Sequence, residues 1–140
     1  MEAIYTDLHI HTSDNADSIN KHYDVNLLIN KIKAFSKVDC HNLMISLTDH
    51  NVINKKAYCD LLQIKDLHVL LGVELHIRNY DECTPYHCHI YFDISKENIE
   101  NEIDNINVIL SELYPKKMVS KNDTIPHLEE VSKAFEKYEY

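Results

Sequence analysis

Leu43-Met44-Ile45-Ser46-Leu47-Thr48-Asp49-His50-Asn51 is the stretch whose reading decides the fold. It opens with a short, almost wholly apolar run, the pattern of a strand buried on both faces. The run stops in four polar residues, and a helical pattern follows over about Asn54 to Ile64. A buried strand, a polar strand end and a helix in succession form the repeating unit of an α/β protein. Ligands in such proteins sit at the carboxyl ends of the strands.

The pattern extends in both directions. Upstream, Ala3 to His9 alternates and is rich in β-formers, and Val25 to Val38 carries Leu27, Leu28, Ile32 and Phe35 at helical spacing. Downstream, Leu67 to Leu75 predicts a third strand with Glu74 near its end. A polar loop from Arg78 to Tyr86 leads into a fourth strand, His87 to Asp93. Residues 96 to 114 predict an amphipathic helix with Ile99, Ile103, Ile106, Ile109, Leu110 and Leu113 on one side. A polar linker over 115–124 precedes a last helix starting at Pro126, a residue suited to a first turn. Continuous apolar strands alternating with helices predict a parallel sheet covered on both faces.

A chain of 140 residues is one domain's worth and long enough to bury a core. No apolar run approaches the ~20 residues of a membrane span, and no basic-then-apolar leader is present, so the expected location is cytoplasmic. Cys40, Cys59, Cys83 and Cys88 form no Cys-x-x-Cys pair and read as thiols of a reducing compartment. With a single glycine, Gly72, Asn and Asp must supply the turns, as at Asp14-Asn15 and Asn79-Tyr80-Asp81. Ten histidines accompany a formal charge of -9. That charge argues against a non-specific nucleic-acid binder, and an anionic substrate would need bound cations to reverse the local field.

The predicted strand ends share one chemistry. The first strand delivers His9 and His11, which point to the same side because strand side chains alternate. The second delivers Asp49 and His50, the third Glu74, and the fourth His87 and His89. Imidazole nitrogen with carboxylate oxygen is a ligand set for Zn²⁺, Mn²⁺ or Fe²⁺. A lone His-x-His is weak evidence; the same residue types at four successive strand ends are not. The plainer readings are surface positions for His9 and His11, and a helix-capping role for His50 or Asp49. Glu74 at the end of a buried strand is costly without a metal or a basic partner. His89 is favoured over His87, which reads as a rim residue, and His76 reads as an exposed loop residue. His22, His41 and His68 read as surface.

Four segments resemble, in order, the successive motifs of the PHP (polymerase and histidinol phosphatase) family. They are Asp7-Leu8-His9-Ile10-His11-Thr12, Ser46-Leu47-Thr48-Asp49-His50-Asn51, Gly72-Val73-Glu74 and His89-Ile90-Tyr91-Phe92. The match spans roughly residues 3 to 93. The resemblance implies a partial, distorted (β/α)₇ barrel of parallel strands, with up to three divalent ions at their C-terminal ends. It implies His9 and His11 as ligands of the first ion, Glu74 as the bridge between the first and second, and His89 on the second. His50 falls to the third ion with Asp17, whose spacing suits the family better than that of Asp14. Asp49 is implied as the catalytic residue beside the ligands, orienting an imidazole.

The family's later motifs, a Pro-His and a closing Asp-x-His, are not clearly present; Pro126-His127 reads as a helix start rather than a ligand. The chain ends at Tyr140 where another strand is expected, with Tyr138 and Tyr140 inside it. Residues 1–140 therefore read as a single PHP-like domain cut before the last barrel strands. The activity implied is hydrolysis of phosphate esters, of phosphatase, phosphodiesterase or nuclease type, by ion-activated water with Zn²⁺, Mn²⁺ or Fe²⁺. The substrate would be a phosphorylated small molecule or a nucleic-acid end, with no membrane partner. The alternative is a catalytically incomplete module with a structural or regulatory role, partnered by the rest of a longer chain or by an ATPase, as in PHP domains of defence-like proteins.

Overall fold

The computed structural model describes residues 5–13, 24–35, 43–116 and 124–140. The elements are β1 (Tyr5–Ile10), α1 (Val25–Phe35), β2 (Leu43–Leu47), α2 (Lys55–Leu62), β3 (His68–Val69), β4 (Leu71–Ile77), β5 (Tyr86–Phe92), α3 (Ile99–Leu113) and α4 (Leu128–Ala134). Asn54 caps α2 by accepting from the Ala57 N–H (3.1 Å), so neither Asp49 nor His50 serves that end. Asn51 and Asp66 take positive φ (57° and 63°), the conformation a glycine-poor chain assigns to Asn and Asp. Asp14 and Asn15 lie outside the described residues.

β1, β2 and β3 pair in parallel, in that order. β4 and β5 pair antiparallel, with Glu74 opposite His89 and His76 opposite His87. The two sheets join because the chain beyond β2 makes a parallel bridge between His50 and Glu74. The Glu74 N–H donates to the Asp49 carbonyl (3.1 Å) and the Asn51 N–H to the Glu74 carbonyl (2.8 Å). The spatial order is β1, β2, then β3 and β4 in line, then β5.

The break between β3 and β4 is filled by Tyr58 from α2. Its buried hydroxyl accepts from the Leu47 and Gly72 N–H groups (3.1 and 2.8 Å) and donates to the Leu47 carbonyl (2.7 Å). The backbone groups orphaned by the interruption are thereby satisfied.

One sheet face builds the core. Leu71, Val73, Leu75 and Ile77 of β4 and Ile90 and Phe92 of β5 pack with Leu61 of α2, Ile99, Ile103, Ile106 and Leu110 of α3, and Val131 of α4. Truncating one of these, Ile103→Ala for example, costs about 2–5 kcal/mol. The alternate residues Gly72, Glu74 and His76, with His87, His89 and Tyr91, face the other side.

Two expectations need correcting. The fourth strand is antiparallel to the third, because the loop from Arg78 to Pro85 is too short for the dozen or more residues that a parallel crossover requires. Among the described residues the strands do not close a barrel, as a partial barrel need not. Tyr138 is not in a strand; its ring packs edge-on against Phe92 (5.6 Å between centroids) and its hydroxyl donates to Glu102 (2.9 Å). Tyr140 likewise lies outside any strand. The last helix does start after Pro126, with His127 as N-cap and the Glu130 carboxylate accepting from the His127 N–H (2.7 Å). Cys59, Cys83 and Cys88 are free thiols, and no helix among the described residues is long and apolar enough to cross a membrane.

Candidate metal centre

The site is assembled by backbone features that the polar strand ends dictate. The Asp49 carboxylate, fully buried, accepts from the Thr12 N–H (2.7 Å), the Thr12 hydroxyl (2.8 Å) and the Ser13 N–H (3.2 Å). Asn54 donates to the same Thr12 hydroxyl (2.8 Å). The turn carrying His11 is therefore held by two buried polar side chains. On the other side Asn51, at positive φ, accepts from the His76 N–H through its side chain (3.1 Å) and fixes the step from His50 onto β4. His87 and His89 stand on the starting half of β5, which the antiparallel return lays beside Glu74 and His76.

Glu74 is the hub. It is 2% exposed, and its Oε2 lies 2.9 Å from His9 Nε2, 2.7 Å from His11 Nε2 and 3.2 Å from His89 Nε2. Its Oε1 contacts His87 Nδ1 and lies 3.7 Å from His50 Nδ1. His9 Nε2 and His11 Nε2 are 3.1 Å apart. The imidazoles run ring to ring, with centroids 4.2 Å apart for His9–His89, 4.9 Å for His9–His11, 4.5 Å for His11–His50 and 5.0 Å for His50–His87. His76 extends the row at 5.0 Å from His87.

Hydrogen bonding alone does not account for this arrangement. A carboxylate oxygen has two lone pairs, whereas three ring nitrogens converge on Oε2. A neutral imidazole carries one N–H and cannot donate both to Oε2 and to a neighbouring ring nitrogen. Two ligand atoms ~2.1 Å from a shared ion are about 3.0 Å apart at right angles and about 3.4 Å at tetrahedral angles. The His9–His11–Glu74 triangle, with edges of 3.1, 2.9 and 2.7 Å, is close to that spacing. Among the described residues, two groups bring their ligand atoms close enough for a shared ion: His9, His11 and Glu74, and His50, Glu74 and His87, with Glu74 in common.

The electrostatics suit cations. Burial pushes the Glu74 carboxyl up, but hydrogen bonds from His11 and His89 and the charge of His50 outweigh it and bring the pKa to about 2. Burial lowers His50 below the ordinary imidazole value, and His76 likewise, with help from His87 and Arg78. Low-pKa imidazoles are neutral and free to ligate near pH 7. Burial raises the Asp49 carboxyl against its hydrogen bonds with Thr12 and Ser13.

His9, His11, His50, Glu74 and His89, the described ligand candidates of the sequence, come together. Asp17 lies outside the described residues, as do Asp14, His22 and His41. Asp49 sits beside the centre but grips the Thr12–Ser13 backbone instead of an imidazole. His127 caps α4 and contacts Asp81 (3.1 Å). His68 is exposed on β3.

The sequence reading set His87 aside as a rim residue. It is half-exposed and also in contact with Glu74, and the signal for that contact was its place two residues before His89, the spacing that had singled out His9 and His11. His76 belongs to β4, half-buried, and not to a loop. Comparison with protein-family models, with curated proteins and with solved structures finds no match for the chain.

Proposed function

We propose that the cluster binds two divalent ions, one on each side of the Glu74 carboxylate, and that the loaded protein hydrolyses phosphate esters in the manner of the PHP family. The observation that carries the reading is the convergence of three imidazole nitrogens on one oxygen of a buried glutamate. Each group offers three protein donors, and an ion held by three side chains keeps positions for water and substrate. The nitrogen and carboxylate donors suit Zn²⁺, Mn²⁺ or Fe²⁺.

When bound, such ions supply Lewis acidity toward phosphoryl oxygens and a water of lowered pKa. The chain does the rest. Glu74 holds the two subsites together, Asp49 fixes the turn that aims His11, and Asn51 fixes His50 against β4. No protein nucleophile is required, and burial raises the Cys88 thiol, the one nearest the cluster in sequence. The substrate class is a phosphorylated small molecule or a nucleic-acid end, drawn in by cations that offset the formal charge of -9.

A second reading rests on Asp49. Both its oxygens are engaged, so Glu74 is the only carboxylate of the two described groups. A metal-holding module with a structural or regulatory role, working beside an ATPase or a further part of the chain, is consistent with that. Elemental analysis after loading with Zn²⁺ or Mn²⁺ decides the metal. Release of p-nitrophenol from its phosphate mono- and diester with added Mn²⁺ decides the chemistry. Bound metal with turnover of either ester supports the first reading, bound metal without turnover leaves the second, and an empty protein removes both.

A further inference from the structure

The sheet order places β1 and β5 three strand spacings apart, about 14 Å if the sheet were flat. A tyrosine side chain is less than half that length, yet the Tyr91 hydroxyl of β5 donates to the Leu8 carbonyl of β1 at 2.8 Å. The sheet is therefore curled, and its concave face carries the imidazoles. Tyr91 lies directly opposite Gly72. A Cβ at Gly72 would come within 2.9 Å of the Tyr91 ring and 2.4 Å of the Ser46 hydroxyl, with the Thr48 methyl at 3.1 Å. The chain's single glycine thus stands where the tyrosine ring crosses β4. The β1–β2 register also shifts between Asp7 and Ile10. Leu8 and His9 occupy that irregular step, the kind of place where a strand re-aims a side chain.

We infer that Tyr91 is a positioning residue for the ion subsite formed by His9, His11 and Glu74. Its hydroxyl, anchored on Leu8, draws β1 towards β5 and brings His9 to 4.2 Å from His89 above Glu74, with Gly72 leaving room for its ring. This rests on the two-ion reading above and adds the device that sets the span of one subsite. The neighbouring subsite, His50, Glu74 and His87, is built from β4, β5 and the turn after β2, and does not depend on β1.

The test uses the full chain and Zn²⁺ as probe, titrated calorimetrically in two single-site backgrounds. His87→Ala leaves the β1 subsite and His11→Ala leaves the other. Tyr91→Phe keeps the ring over Gly72 and removes only the anchor, a bond whose loss corresponds to roughly a five-fold change in an equilibrium constant. The expected result is Zn²⁺ affinity about five-fold weaker in the His87→Ala background and unchanged in the His11→Ala background. Equal weakening in both backgrounds reduces Tyr91 to general stability and overturns the inference, as does no change in either. A wild-type chain that takes up no Zn²⁺ overturns the two-ion reading and this one with it; two ions bound with Tyr91→Phe silent overturns this one alone.

Discussion

Replacing Glu74 by glutamine keeps the side chain's shape and removes its charge, with two separable consequences. In metal-free protein, burial favours the neutral acid, but hydrogen bonds from His11 and His89 and the charge of His50 prevail and hold the pKa at about 2 rather than 4.5. That displacement corresponds to about 3 kcal/mol favouring the folded carboxylate, little of it screened at 2% exposure. Over 140 residues, at about 2.1 cal/mol/K for each, losing it lowers Tm by about 10 °C. With metal present, both ions lose their only described anionic ligand. Outer partners of metal ligands are worth about 10–100-fold in affinity, so a shared direct ligand is worth more than about 100-fold at each subsite. Equilibrium dialysis against Zn²⁺ or Mn²⁺ with elemental analysis reads the second effect, and calorimetry in EDTA reads the first. Metal content equal to wild type refutes the bridging role. A Tm in EDTA that is unchanged or higher refutes the electrostatic reasoning, because desolvation of the charge would then outweigh its hydrogen bonds.

His11→Ala and His87→Ala should each cost one bound ion and spare the other, whereas Glu74→Ala should cost both; elemental analysis giving the same stoichiometry for all three would contradict two subsites meeting at one carboxylate. His76 has its pKa lowered by burial, then by His87 and Arg78. The unfolded chain therefore takes up that proton first as pH falls below the ordinary 6.5, and the neutral half-buried ring becomes a liability. His76→Gln should accordingly gain stability relative to wild type on acidification from pH 7.5 through 6.5, measured as Tm in EDTA; a difference that does not vary with pH would sink the argument. Tyr58→Phe leaves the Leu47 and Gly72 N–H groups without their buried acceptor and should cost about 2–4 kcal/mol in urea unfolding at constant m-value. A loss below about 1 kcal/mol would mean that the break between β3 and β4 is satisfied by other means.

Much of the fold was legible because burial writes itself into spacing. Leu43–Leu47 is a strand with the bounds its apolar run predicts, and the α3 stripe at Ile99, Ile103, Ile106 and Leu110 is buried as its helical period requires. Strand direction is different, because no residue type marks it. It was available from the length of the Arg78–Pro85 loop, which sequence patterning alone did not weigh. The split of the third strand at Leu70 was hidden for another reason. The hydroxyl that permits it comes from Tyr58, more than ten positions upstream, and its long-range hydrogen bonds leave no local trace.

The wrong strand direction nevertheless left most of the candidate residues gathered at one place, and the cause is geometric. Side chains two apart share a sheet face whichever way the strand runs, so His87-x-His89 presents both rings to the same side in either orientation. Direction decides which end of the strand meets the site. In a parallel strand these histidines, near its start, would sit at the opposite edge from Glu74. The antiparallel return puts that start beside the end of β4, and His87 lands opposite His76 with His89 opposite Glu74. Both rings therefore reach the carboxylate, and the two-residue spacing alone gave no ground for preferring His89 over His87. Two His-x-His pairs thus approach one buried glutamate from β1 and β5, His9, His11 and His89 at its Oε2 and His87 at its Oε1.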